Sequence, residues 1–344
     1  MIERKEFGYY QGYRCDLVTL ANANGYSVSL TNFGATVVKL FVPDKNGNPA
    51  DVVLGYDTLE EYADGNSCFG ATIGRFANRI GGAEFTLNDV KYQLDKNDGE
   101  NTLHSGFYGY HKRVWKIAEV QDGDEPFVQF SYDSPDGEQH MPGNLNINVK
   151  FTLCENALKI EYNALSDADT IVNLTNHSYF NLKGEGSGDI LSHKAKINAK
   201  QYTPVDGALI PTGDIAYITN TPFDFTSPKS IGEDIRSGRL PNGYDHNFIL
   251  GKPCEMRTAA VVCEQSSGRV MTVATDSPAV QFYIAGGLNN EKGKNSHTYN
   301  RFEAFCFETQ FSPDSPNQKA FTDCVLKAGE PYCFTTVYSF GTEE

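Results

Sequence analysis

The chain has 344 residues, 40% of them hydrophobic and 21% charged, an ordinary globular composition with ample material for a core. Its formal net charge of -15 opposes nucleic acid, anionic membranes and highly phosphorylated substrates, and suits a neutral small molecule. The N-terminal MIERKEFGYYQGYRC lacks the apolar core of a signal peptide, no apolar run is long enough to span a membrane, and eight cysteines are scattered without a CxxC pair. These features lead to the expectation of reduced thiols and a cytoplasmic protein.

Strand signals dominate in chain order. Alternation runs over residues 27–38, and residues 57–62 read as a short helical turn capped by Asp57 and ending before Gly65. Further alternation at 128–132 leads into a hairpin. There Leu145, Ile147, Val149, Phe151 and Leu153 face one way, a corner follows at Glu155-Asn156, and Leu158, Ile160, Tyr162 and Ala164 alternate back. Segments 270–275 and 280–284 repeat the pattern. No long 3.6-residue period, fixed repeat or βαβ alternation is present. The reading is all-β, a large antiparallel β-sandwich forming one domain over residues 1–344.

Several familiar motifs fail. GGLNNEKGKNS at 286–296 has the wrong spacing for a phosphate loop and reads as a polar loop. HExxH, paired CxxC and Gly-x-Ser-x-Gly are absent. Sequons occur at Asn173 and Asn176, and are read as coincidental.

The chemistry-bearing residues lie in a few segments. Glu308 sits in FCFETQFSPDSPNQ, on one strand face with Cys306 and Gln310, while Phe307 and Thr309 point the other way. Such a carboxylate is partly desolvated, which raises its pKa toward the range of a general base; a solvent-facing strand-end Glu fits the local pattern equally. His177, in VNLTNHSYFNL, falls on a polar face with Asn173 and Thr175 if the strand runs on through it, with Val172 and Leu174 opposite. Taken alone, a histidine here suits a hydrogen-bonded strand residue more often than an acid, yet its near-neutral pKa makes it the natural proton donor. His104 lies in a turn-rich stretch. Arg79, with a second arginine, occupies a Gly-flanked segment that suits either forked bonds to an oxygen-rich ligand or the satisfaction of loop carbonyls. Asp245, followed by His246 and Asn247, offers too few ligands for a metal and suits a ligand hydroxyl or a turn cap. Gln281 sits mid-strand, with Val280 and Phe282 on the other face.

Together the blocks GATIGRFANRI, LHSG…GYHKRVW, NLTNHSYFNL, YTPVDGALIPTG, TPFDF, GYDHNF, VQFY and FETQFSPDSPNQ, in this order across roughly residues 55–340, resemble the aldose 1-epimerases, or galactose mutarotases. The resemblance implies a β-sandwich with an open cleft, an aldose sugar as partner, and interconversion of α and β anomers without cofactor or metal. It implies Glu308 as catalytic base, His177 as catalytic acid, and Asn78, Arg79, His104, Asp245 and Gln281 as sugar-binding residues. A bell-shaped pH profile is expected, its acid limb set by Glu308 and its alkaline limb by His177. Ser105, His111 and residues 285–287 depart from the family's usual residues, and the expectation is that they tune sugar preference. A glycoside hydrolase pairing Glu308 with Asp245, a non-catalytic sugar-binding module and a hexose-phosphate epimerase are the competing readings.

Overall fold

The computed structural model describes residues 1–343. Three antiparallel sheets dominate it. The N-terminal meander runs Ile2–Tyr10, Tyr13–Ala21, Ser27–Thr31, Thr36–Pro43 and Pro49–Asp51, paired in that order. A nine-stranded sheet runs from Lys116–Gln121 through Phe127–Ser134, Leu145–Leu153, Ala157–Ser166, Pro331–Thr342, Arg269–Thr275, Arg257–Cys263 and Lys194–Ile197 to Lys229–Ser230. The third sheet carries Ala216–Tyr217, Gln201–Thr203, Asp245–Ile249, Ala279–Tyr283 and Cys306–Gln310.

The hairpin read from the sequence forms in register, with Leu153 opposite Leu158 and Phe151 opposite Ile160. Its apolar rows are buried, as period-two alternation requires of a sheet with one wet face. Stretch 27–38 is two strands rather than one. Asn32 takes the turn, accepting from the Asp16 N–H and donating to the Trp115 carbonyl. Behind the third sheet, Phe282 stacks on Phe307 at 4.8 Å, and the Tyr338 hydroxyl of the nine-stranded sheet donates to the Phe307 carbonyl at 3.0 Å. Burying each such ring contributes about 1.5–3 kcal/mol, and this packing fixes the strand that carries Glu308.

Among the described residues, α-helix is confined to Leu59–Asp64 and Glu233–Arg236. The first helix is capped by Thr58, not Asp57: the Thr58 side chain accepts from the Glu61 N–H while the Glu61 carboxylate accepts from the Thr58 N–H. That reciprocal pair needs a hydroxyl three residues before the Glu. Asp57 instead accepts from the Asn295 N–H. The polar loop 286–296 is pinned by Lys294, whose buried ammonium donates to the Val38 and Val53 carbonyls and to Asp51.

Candidate active site

Four strands of the third sheet align a polar row. Glu308 lies opposite Gln281, Gln281 opposite Asn247, and Asn247 opposite Thr203. Cross-strand partners share a face, so this row covers one side of the sheet while Phe282 and Phe307 occupy the other. Asp245 is one row further on. It accepts at 2.6 Å from the Gln281 amide and lies 3.6 Å from the Arg79 guanidinium. Glu308 is 2% exposed, and burial raises its pKa well above the usual carboxylate range. The negative charge of Asp245 adds to that rise, and the Arg79 guanidinium opposes it.

His177 arrives from a segment that is not a continuous strand. Thr170–Ile171 and Thr175–Asn176 are separate two-residue strands paired to different partners, so no polar face carries His177 with Asn173 and Thr175. The whole segment is buried because it threads between sheets, and its asparagines bond inward, while Thr175 Oγ1 and His177 Nδ1 meet no side-chain partner. Asn173 accepts from the Phe311 N–H and donates to the carbonyls of Ala77 and Phe311; Asn176 donates to the Gly70 carbonyl. Both sequon asparagines are therefore interior side chains. Gly70 fixes the His177 backbone, its N–H donating to the His177 carbonyl while its own carbonyl accepts from Val37. Its φ is +66°, and a Cβ there would lie 2.0 Å from the Val37 carbonyl oxygen, so only glycine fits.

These placements bring the His177 Nε2 within 3.6 Å of a Glu308 carboxylate oxygen. That is too long for a hydrogen bond and close enough for one sugar oxygen pair to bridge. Burial lowers the His177 pKa to about 4. Burial thus pushes the carboxyl toward its protonated form and the imidazole toward its neutral form, whereas the roles expected from the sequence need the opposite pair.

His104 and Asn78 face each other across a short ladder, both with positive φ. The His104 N–H donates to the Asn78 carbonyl, and the Asn78 N–H donates to His104 Nδ1, each at 3.1 Å. Neutral His104 therefore carries its proton on Nε2 and presents a donor, and burial holds its pKa well below the usual value. Ligand atoms of His104, His177 and Glu308 lie within 4.8 Å of one another. A cation would have to displace the Nε2 proton or the Asn78 bond, so the set fits hydroxyl groups better than a metal. Of the two arginines in the Gly-flanked segment, Arg79 lines the cleft, with its Nε donating to Asp98 at 2.7 Å. Arg75 is fully buried and satisfies the carbonyls of Pro142 and Gly143 and the hydroxyls of Ser134 and Thr170. The structural and the ligand-facing readings of this segment thus each hold for one residue.

The cleft, about 470 Å³, is lined by Asn78, Arg79, His104, His177, Asp245 and Glu308. Gln281 lies beneath it, buried, acting on the cleft through Asp245. Sequence reasoning missed Tyr179 and Tyr283, which also line the cleft. Their signal was period two: each stands two residues beyond a site residue, His177 and Gln281. The departures from the family pattern divide. Gly286 and Gly287 line the cleft, the latter donating its N–H to the Tyr283 hydroxyl. Ser105, His111 and Ala285 do not. Ser105 is buried, its hydroxyl accepting from the Phe76 N–H and donating to the Phe76 carbonyl. Ser105 thus secures the Phe76 backbone and stands outside the cleft lining, so any influence on sugar preference is indirect.

A β-sandwich bearing a buried carboxylate and imidazole at the floor of a polar cleft has the groups that acid–base chemistry on a small hydroxylated ligand requires. The family model described as Aldose 1-epimerase matches residues 16–339, and the chain belongs to that family, a family of isomerases. It is 43% identical over 314 residues to galactose mutarotase of Bos taurus, covering 91% of this chain and 90% of that one. It is 37% identical over 350 residues to aldose 1-epimerase of Haemophilus influenzae, covering 99% and 100%. Among solved structures, an aldose epimerase homologue from C. elegans superposes with a TM-score of 0.88 at 33% identity, covering 95% of this chain and 99% of that one. A galactose 1-epimerase from Lactobacillus acidophilus gives 0.87 at 28% identity, covering 100% and 99%.

Proposed function

We propose that this protein is an aldose 1-epimerase that interconverts the α and β anomers of aldohexoses such as galactose and glucose by ring opening and closure. The observation that carries this reading is the buried Glu308–His177 pair, 3.6 Å apart beneath a polar cleft. Opening a hexose ring removes a proton from O1 and adds one to O5. Glu308 accepts the O1 proton as the C1–O5 bond breaks, and His177 Nε2 donates to O5. Rotation about C1–C2 presents the other carbonyl face, and reclosure reverses both transfers.

Burial favours the protonated carboxyl with neutral imidazole, so the productive tautomer must form as the sugar binds. Arg79 supports the ionised carboxylate, and sugar hydroxyls supply hydrogen bonds to the carboxylate oxygen that burial leaves without a partner. Arg79, His104 and Asp245 orient the ring, and Gln281 holds Asp245. The reading is tested by following the optical rotation of fresh α-D-glucose and α-D-galactose with EDTA-treated protein. Acceleration of both is expected; a rate equal to that of buffer overturns the proposal. Comparing kcat/KM for the two sugars in the same experiment decides the preferred aldose.

A further inference from the structure

We infer that Tyr179 is a positioning residue for the acid: its ring, stacked on the His177 imidazole, favours the imidazolium form that ring opening requires. The inference rests on the reading of His177 as proton donor. The Tyr179 and His177 rings lie 4.8 Å apart with an interplanar angle of 12°. Tyr283 stands edge-on to His177 at 6.2 Å and 87°, and His104 at 5.3 Å and 76°. Tyr179 is itself held edge-on by Phe69 at 4.8 Å and by Tyr283 at 6.0 Å.

A catalytic imidazole is commonly oriented by a third group hydrogen-bonded to its second nitrogen. His177 has no side-chain group in that role: its buried Nδ1 meets no side-chain partner, and only its own backbone favours the protonated ring. The ring is instead held through its faces. An electron-rich phenol face within about 6 Å attracts a cation, so the stack favours the protonated ring over the neutral one. The other groups around His177 are Glu308, His104, His111, Cys68 and the two tyrosines, with Arg79 and Asp245 paired to each other further along the cleft. Burial lowers the pKa of both neighbouring histidines and raises those of the Cys68 thiol and the two phenols, so all stay uncharged at neutral pH. Glu308 is the proton-exchanging partner, and Tyr179 is the side chain packed on the imidazole face that favours the cation without exchanging a proton. The stack acts on a balanced step: the proton leaves Nε2 for O5, the C1–O5 bond breaks, and the O1 proton passes to Glu308.

The test compares Tyr179→Phe, Tyr179→Leu and a protein with pentafluorophenylalanine at position 179, each against wild type on glucose and galactose by polarimetry. Phe keeps the stacked face and should retain kcat within about twofold, the hydroxyl having no part in a face-on attraction. Leu should lower kcat about tenfold, the order expected for losing a desolvated cation–π contact, with a smaller change in KM. The acid limb of the pH profile should also move to lower pH. Pentafluorophenylalanine keeps the shape of Phe but removes the negative face, so it should behave like Leu even if the Leu variant does not fold. NMR of the His177 imidazole should show its pKa falling by roughly one unit on fluorination. Equal kcat and equal imidazole pKa in the Phe and pentafluoro proteins overturn the inference. So does a Phe variant as impaired as Leu, which would assign the role to the hydroxyl. A wild type no faster than buffer overturns the epimerase reading instead, and the NMR comparison still decides the role of the stack.

Discussion

Burial acts on Glu308 and His177 in opposite directions, raising one pKa and lowering the other. The active form of the pair holds one proton. Its acid limb therefore marks the arrival of a second proton on the imidazole, near pH 4 by the His177 value, and its alkaline limb marks loss of the carboxyl proton. In a pH series of kcat/KM, His177→Asn should erase the acid limb; loss of the alkaline limb instead would restore the usual assignment. Glu308→Gln should cut kcat by more than about two decades yet stabilise the fold. The sign follows from linkage: below the unfolded carboxyl pKa both states are protonated and burial costs nothing extra. As pH rises the unfolded state releases its proton while the native state retains it up to its raised pKa, so native stability falls. The Tm gain of the Gln variant should thus be larger at pH 8 than at pH 4, and an equal gain at both would show that Glu308 titrates normally. Ser105→Ala strands the buried Phe76 N–H, at a cost of about 1–3 kcal/mol. Urea unfolding should register that loss while the galactose-to-glucose efficiency ratio stays fixed.

At the scale of elements, alternation in the sequence was enough to place Glu308 and Gln281 on one face of their strands, and Phe307 and Phe282 on the other. It could not show that the two strands are neighbours, because register between distant segments depends on the packing of the whole sandwich. The segment around His177 misled the period-two reading for a related reason. A fully buried chain shows no wet face, and its two short strands pair with Ile73 and Thr72 on one side and Leu326 and Val325 on the other. Gly70 was equally hidden, since nothing local reveals that the Val37 carbonyl sits where its Cβ would be. Gly70→Ala combines that clash with an unfavourable positive φ, so it should cost at least about 3 kcal/mol. It should also lower kcat at temperatures where the protein stays folded, because the same residue anchors His177. A variant with wild-type Tm would mean the loop relaxes freely.

At the scale of the molecule, seven of the eight sequence blocks, scattered over the chain, bring residues to one cleft, TPFDF being the exception, so the blocks point together to a site that no single segment could define. The whole-chain charge contributes differently. With 44 acidic against 29 basic residues, the protein repels anions at long range. On the proposed reading the substrate is a neutral aldose that feels none of this field, and its encounter with the cleft is governed by diffusion and by short-range contacts with groups such as Arg79, His104 and Asp245. Screening lengths fall from about 30 Å at 0.01 M salt to about 3 Å at 1 M. Across that range kcat/KM for glucose and galactose should change by less than about twofold, since there is no long-range Coulomb interaction to screen. A hexose phosphate offered to the same cleft should instead be turned over poorly at low salt and improve as salt lifts the repulsion. A neutral-sugar efficiency that fell steeply with salt would show that long-range charge steers the substrate, and would contradict a site whose recognition is short-range and whose anionic surface serves to exclude phosphorylated sugars.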